Sequence, residues 1–384
     1  MIGKSLNTSK VIYVCYEPLT ARVERDWYID YLITKGILVE YWDCSQIFYG
    51  KREFVDSLEK HYVVKIKNYN HLESLLKKEE NLNASYIICI VYEYKALKLY
   101  RLLTHYKCRL YFIKWAVFPH KNRIISKLLS HPFKLTVRVF DKIITLTSKK
   151  IGMVKPFEKI FYAGSAALSF ARDTTKNIPI SMCDFDNFLL SKDHSNELSG
   201  KNYSVFLDIN LPFHPDLYLI NSRYITPEKY FDSLNNFFEL VEKKFGVDVV
   251  VAGHPSSNYQ ENTFNGRKIL KYVTPVLVRD AQFVISHHSA SMNFAVLNKI
   301  PIIFIYTDEM ERIYRDSIMT VIRGSAEFLC AALYNIDVVE GTDEITINEV
   351  DEERYDLYKY NFLTSEESEG LLSREIFFRE IISD

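Results

Sequence analysis

Two loops in the second half of the chain carry residue types suited to holding a phosphate. In the first, Val249–Tyr259 (VVVAGHPSSNY), an apolar run delivers the chain into Gly253, His254, Pro255, Ser256 and Ser257. Glycine lets backbone approach a ligand. Imidazole can donate to a phosphate or to a departing anomeric oxygen, and serine hydroxyls and turn amides add further donors. In the second, Phe283–Val296 (FVISHHSASMNFAV), a strand-like run ends in Ser286, His287, His288 and Ser289, and Ser291 stands near the start of an apolar helical pattern. Free amides at a helix start, backed by hydroxyls and the positive end of the dipole, form a ready anion site. Taken singly, His254-Pro255 is also an ordinary turn, and Ser289 or Ser291 an ordinary helix cap. Together the two loops predict a nucleotide-phosphate site within Val249–Tyr306.

Other candidates are sparser. Phe206–Asp216 (FLDINLPFHPD) places Asp208, His214 and Asp216 after another apolar run. Asp208 could orient a ribose or an amine, or simply cap a turn, and His214-Pro215-Asp216 is itself a turn signal. In the first half, Glu17, Arg22, Glu24 and Asp26 gather at the end of the first strand and the start of the first helix. Asp26 and Glu17 are the candidate general bases of a transfer reaction; the plainer role for such charges is to complement a helix dipole on a solvated face. Metal binding is not expected. His287 and His288 are adjacent rather than four apart, so they point apart on a strand, and no nearby carboxylate completes a ligand set. The chain has no G-x-G-x-x-G, no Walker loop and no G-x-S-x-G, which disfavours dinucleotide oxidoreductases, P-loop kinases and serine hydrolases.

The elements that must position these residues alternate between strand and helix. Lys10–Tyr16, a helical pattern ending at Lys35 before Gly36, and Ile37–Trp42 form one β-α-β unit. Strands are predicted at Ser85–Tyr92, Arg109–Ile113, Lys142–Leu146 and Lys159–Tyr162, with a helix over Lys95–Tyr106. The same grammar restarts with strands at Tyr203–Leu207, Val247–Ala252, Phe283–Ser286 and Ile300–Ile305 and a long helix over Thr226–Phe245. The expected fold is α/β with two Rossmann-like domains facing a central cleft. Boundaries are placed at 1–165 for the first domain, 166–202 for a polar, irregular connection and 203–360 for the second. A C-terminal helix within 361–384 is expected to pack back on the first domain.

The 384 residues exceed what one ordinary core accommodates, in keeping with two domains. A net charge of −1 conceals a segregation: from Lys121 to Lys155 there are nine Lys or Arg and one acid, Asp141, whereas Glu340–Glu369 is strongly acidic. That balance argues against nucleic acid as a partner and for one specific anionic surface. Apolar residues interleave the basic block, which suits an anionic membrane face or a lipid-linked acceptor, and equally a solvated helix face. The six cysteines are scattered without a C-x-x-C pair, and several fall in apolar strands where a reduced thiol packs as a small hydrophobe. The start of the chain is polar, without the apolar run of a secretion signal, and no uncharged run approaches transmembrane length. The expected location is cytoplasmic, peripheral on the inner membrane through 121–155.

With these residues in view, the sequence resembles the GT-B glycosyltransferases of bacterial surface-polysaccharide assembly. It is most similar to sialyltransferase-like and Kdo-transferase-like groups that use CMP-activated acidic sugars. Gly253-His254-Pro255 matches their His-Pro motif, and Ser289-Ala290-Ser291 approximates their serine-rich motif at a helix start. Phe206–Asp216 with Asp184-Phe185-Asp186 is also similar to capsule and O-antigen cluster proteins. The resemblance covers about Tyr203–Thr307 and is only architectural before it; the acidic motif that supplies the base in some sialyltransferases is not visible. It implies transfer from a nucleotide-sugar to a glycan or lipid-linked acceptor, without cofactor or metal, and donor contacts by Asp208, His214, Gly253, His254, Pro255, Ser257, Ser286, His287, His288, Ser289 and Ser291. Two other readings fit the same architecture. One is a sugar-nucleotide epimerase of the UDP-N-acetylglucosamine type, and the other a non-catalytic polysaccharide-assembly subunit.

Overall fold

The structure is a computed structural model that describes residues 10–50, 57–115, 118–119, 132–168, 174–214 and 224–383. The chain divides into two compact units. One draws its described residues from Met1–Trp115, Leu128–Ile180 and Glu367–Asp384, the other from Ala116–Lys127 and Ser181–Glu366.

In the first unit, strands β1 (Lys10–Cys15), β2 (Leu38–Asp43), β3 (Val63–Lys65), β4 (Ser85–Ile88), β5 (Arg109–Lys114), β6 (Phe157–Ala163) and β7 (Thr174–Ile180) form one sheet in the order β3-β2-β1-β4-β5-β6-β7. All its pairings are parallel. A parallel sheet is covered on both faces, which is why β1 and β4 read as unbroken apolar runs. One face packs Tyr13, Ile87, Tyr111 and Phe161; the other packs Ile12, Trp42, Tyr86 and Leu110. Helix Ser373–Ile382 closes the first face by burying Ile376, Phe377 and Ile381 there.

The second unit repeats the scheme. Its strands β8 (Tyr203–Leu207), β9 (Asp248–Ala252), β10 (Ile269–Leu270), β11 (Val284–Ser286), β12 (Ile302–Tyr306) and β13 (Ala332–Asn335) are all parallel, in the order β10-β9-β8-β11-β12-β13. Register sets Phe206 on β8 between Val251 on β9 and Ile285 on β11, so the central strand is buried throughout. The long helix Pro227–Phe245 begins with proline at its first position and ends at Gly246, whose φ of 62° is the left-handed cap such a stop requires.

Three expectations about elements are corrected. Lys142–Leu146, expected as a strand, lies inside the helix Pro132–Lys150. The connection expected over 166–202 contains β7, an edge strand of the first sheet, and the helix Cys183–Ser191 of the second unit. The first helical pattern breaks into Ala21–Asp26 and Ile29–Thr34 at Tyr28, whose φ is 61°. Among the described residues, no helix is long and apolar enough to cross a membrane.

Candidate functional site

The winding of the second sheet reverses beside β8. From β8 the chain moves outward to β9 and β10, then returns to the other side of β8 as β11. In open α/β sheets, ligands bind outside the carboxyl ends of the strands at such a reversal. The loops leaving β8, β9 and β11 there hold Asp208–His214, Gly253–Ser257 and His287–Ser291.

Asp208 ties two of these loops together. It is buried, its Oδ1 accepts the Asn210 N–H at 2.7 Å, and its Oδ2 accepts the His254 N–H at 2.9 Å and the Tyr259 hydroxyl at 2.8 Å. Burial pushes its pKa up, while those three donors and nearby Lys271 pull it back. With both oxygens engaged by loop donors, Asp208 braces the His254 turn. Gly253 is required by close approach rather than by its dihedral angles: a Cβ there would lie 2.9 Å from Ile269 Cγ2. The turn is completed by Ser257, whose N–H and hydroxyl donate to the His254 carbonyl at 3.0 and 2.7 Å, leaving Pro255 and Ser256 exposed.

Three imidazoles stand on the loops at the reversal. The His214 and His254 rings lie 5.4 Å apart between centroids, and His254 Nδ1 is 2.8 Å from the Ser256 hydroxyl. His288 senses His214 electrostatically, and its own Nδ1 is buried without a hydrogen-bond partner. Burial, then the neighbouring His287 and His214, bring the His288 pKa down to about 3. An unpartnered buried polar atom costs about 1–3 kcal/mol, which a ligand offering a hydrogen bond would relieve. An anion beside it would also favour the protonated ring, reversing the direction of its pKa shift.

The rest of the second loop is turned into the structure. His287 is fully buried, with Nδ1 2.7 Å from the Ile305 carbonyl and Nε2 2.9 Å from the Tyr230 hydroxyl. A carbonyl only accepts, so Nδ1 carries the hydrogen and Nε2 accepts from Tyr230. Burial lowers its pKa to about 4, making it a neutral core residue that anchors the loop. Ser286 is also fully buried, and its hydroxyl has no partner. Ser289 is buried and accepts the Ser291 N–H through its hydroxyl at 3.3 Å.

The helix after Ser291, Met292–Leu297, is only six residues long, and Ser291 makes no side-chain capping bond. The amides of Met292, Asn293 and Phe294 donate to the carbonyls of Ser289, Ala290 and Ser291. The amides of residues 291–294 at this helix start are therefore engaged within its own turns. Asp216 lies outside the described residues.

In the first unit, Asp26 is the last residue of Ala21–Asp26, not at its start, and pairs with Arg25 at 2.7 Å. Glu24 accepts the Tyr62 hydroxyl and faces Lys60, Arg22 is exposed, and Glu17 is half-buried just beyond β1. Residues that the sequence did not single out hold the second-unit site in shape. Tyr259 links Asp208 to the Asn210 side chain, Asn210 takes a φ of 50°, and the Lys271 ammonium donates to the Ser257 carbonyl. Lys271 follows the two-residue strand β10, too short to announce itself, so no pattern marked it as leaving a strand end beside His254.

No family model matches the chain, and no curated protein matches it. Among solved structures it is similar to variants of the wall teichoic acid polymerase TagF. One, soaked with CDPG, superposes with a TM-score of 0.52 and 11% identity, covering 98% of this chain and 89% of that one. A second superposes at 0.51 with 13% identity and the same coverage. The UDP-GlcNAc 2-epimerase of Methanocaldococcus jannaschii gives 0.48 at 12% identity, covering 98% of this chain and 100% of that one. The polymerase comparisons establish the architecture: two parallel α/β units of the GT-B kind.

Proposed function

We propose that the chain is a glycosyltransferase whose second unit binds the phosphate of a nucleotide-sugar outside β8, β9 and β11. The observation that carries this reading is the buried, unpartnered Nδ1 of His288 at the point where the sheet reverses, in the field of His214, whose ring lies 5.4 Å from that of His254. Transfer breaks the bond from the anomeric carbon to the phosphate oxygen and forms one to an acceptor oxygen. Charge therefore grows on the departing phosphate, where fixed donors act most strongly. His254 and His288 supply those donors in the proposal, and Lys271 adds a positive charge without a metal.

The acceptor hydroxyl loses its proton to a carboxylate, for which Asp26 and Glu17 are the proposed residues. The proposed donor is a CMP-linked acidic sugar of the nonulosonate or Kdo type, carried from the resemblance of Gly253-His254-Pro255. The proposed acceptor is a glycan or lipid-linked glycan of a surface polysaccharide. The polymerase structure soaked with CDPG makes a CDP-linked donor the second arm of any test.

The test incubates the protein with CMP- and CDP-linked donors and follows nucleotide release with and without glycan acceptors. His254→Ala is expected to lower turnover roughly 100-fold or more, the usual cost of losing a donor to a departing oxyanion, while thermal unfolding stays as in the parent chain. Unchanged turnover in His254→Ala would remove it from the reaction. Unchanged turnover in both Asp26→Asn and Glu17→Gln would remove the proposed bases.

A further inference from the structure

The first sheet reverses as the second does. From β1 the chain moves outward to β2 and β3, then returns to the other side of β1 as β4. Ligands bind outside the carboxyl ends of strands at such a reversal, which in this unit means the ends of β1 and β4. Glu17 stands there, half-buried, two residues beyond the end of β1. Its loop is pinned at several points. The Tyr41 hydroxyl donates to the Glu17 carbonyl at 2.9 Å, the Leu58 N–H to the Leu19 carbonyl at 2.7 Å, and the Val23 N–H to the Thr20 hydroxyl at 3.3 Å. Burial and then the Glu17 carboxylate push the Tyr16 phenol up to about 12. After burial and the Cys15 thiol, Glu17 also raises Cys89, the residue just past β4. The carboxylate therefore stands near the ends of both strands.

Two tryptophans share this rim. Trp115 directly follows β5, the neighbour of β4, and Trp27 directly follows the helix Ala21–Asp26. Both are half-buried, and both pack with Cys89 against the sheet face that holds Tyr13 and Ile87. Their rings meet edge to face at 6.1 Å between centroids, and the Trp27 carbonyl accepts the Tyr13 hydroxyl at 2.7 Å. The third tryptophan of the chain, Trp42, is fully buried and gives its indole N–H to Glu40 at 2.7 Å. The indole N–H groups of Trp27 and Trp115 donate to none of the described residues, so each ring offers a ligand an apolar surface and a donor.

A pyranose ring presents an apolar C–H face to such indoles and hydroxyls to a carboxylate, which accepts at about four lone-pair positions. Neighbouring strands stand about 4.8 Å apart. With β4 between β1 and β5, Glu17 and Trp115 are roughly 10 Å apart, the reach of two linked rings rather than one. The Glu17 charge disfavours an anionic ligand at this end. We propose that the carboxyl rim of the first sheet binds a neutral oligosaccharide, with one ring hydrogen-bonded to Glu17 and the next lying on Trp27 and Trp115. In the glycosyltransferase reading this rim selects an acceptor of at least two rings; that role rests on the reading, whereas saccharide binding does not.

The experiment titrates the full chain, without nucleotide, with cellobiose, lactose and N,N′-diacetylchitobiose, and with glucose as the single-ring control. Calorimetry reads affinity, and tryptophan fluorescence reads location, since Trp42 is shut in the core. At least one disaccharide is expected to bind saturably, at least roughly ten-fold tighter than glucose, and to protect the emission from acrylamide quenching. Trp115→Ala and Glu17→Gln should each weaken that binding roughly ten-fold with unchanged circular dichroism. CMP and CDP should bind Trp115→Ala as they bind the parent. Trp115→Phe, which drops the N–H and part of the ring, stands in if the alanine variant does not fold, with an effect in the same direction. Equal affinity in the parent, Trp115→Phe and Glu17→Gln overturns the inference. So does failure of all three disaccharides to bind, and so does binding that leaves the quenching unchanged. A chain that binds nucleotide and no disaccharide loses this inference alone; one that binds a disaccharide and no nucleotide loses the donor reading alone.

Discussion

At the scale of single residues, the candidate site of the second unit contains groups that hold the loops and others that the proposal assigns to a ligand. Asp208, Tyr259 and Asn210 close on one another, and His287 is locked between Tyr230 and the Ile305 carbonyl. His254 and His214 pair at the reversal, and His288 lies on the neighbouring loop. Adjacent histidines in a sequence look alike, but only His287 finds two partners, the Tyr230 hydroxyl and the Ile305 carbonyl, while the His288 Nδ1 finds none. The sequence therefore showed which residues gather at the strand ends and could not tell which of them would anchor the loops. That division depends on Tyr230 and Ile305, which are distant in the chain.

Titration of His287 makes the division measurable. An unfolded histidine has a pKa near 6.5, and folding lowers that of His287 to about 4. Between those values the unfolded chain binds the extra proton, so stability is full above about pH 6.5 and is lost as pH falls toward 4. The full loss is on the order of 3 kcal/mol. Urea unfolding from pH 7.5 to 5 should show this slope, and His287→Gln should flatten part of it; a parallel slope in both proteins would show that His287 is not the group responsible.

At the scale of elements, strands were legible where burial on both faces made them uniformly apolar, as in β1, β8, β9 and β12. The misreadings come from elements at the margins of that rule. Lys142–Leu146 has the β-branched composition of a buried strand, but it lies in a helix where Ile143 and Leu146 are exposed. β7 looked irregular because Lys176, Asn177 and Pro179 interrupt it, and those are residues that the outermost strand of a sheet tolerates. Gly253 was legible as a loop residue, yet its reason is packing between strand ends. In Gly253→Ala the new methyl meets Ile269 and the Lys271 stem, so the β9 and β10 ends must part. The expected cost is about 1–3 kcal/mol in urea unfolding, as for other overpacked sites. Full stability in that variant would mean the loop can shift freely and is not held by β10.

At the scale of the molecule, two parallel sheets of similar winding were foreseeable from the repeated strand–helix grammar, and the return of the C-terminal helix to the first unit was expected. Phe377 is fully buried there, its ring tilted against Phe161 at 4.7 Å and Tyr28 at 5.5 Å between centroids. Phe377→Ala should cost about 3–5 kcal/mol and confine the loss to the first unit. Hydrogen exchange would read it as faster exchange in β1 and β6 with β8 and β11 unchanged. Equal loosening of both sheets would show that the units do not unfold separately. The central claim, that the second unit holds a nucleotide's phosphate where its sheet reverses, is tested most directly by calorimetric titration of CMP, CDP, UDP and GDP. Saturable binding of a cytidine nucleotide is expected, weakened at least roughly ten-fold in His254→Ala and in His288→Ala, as loss of a charge-assisted hydrogen bond implies, with the circular dichroism spectra of the unliganded variants unchanged. No binding of any of the four, or equal affinity in parent and variants, would contradict it.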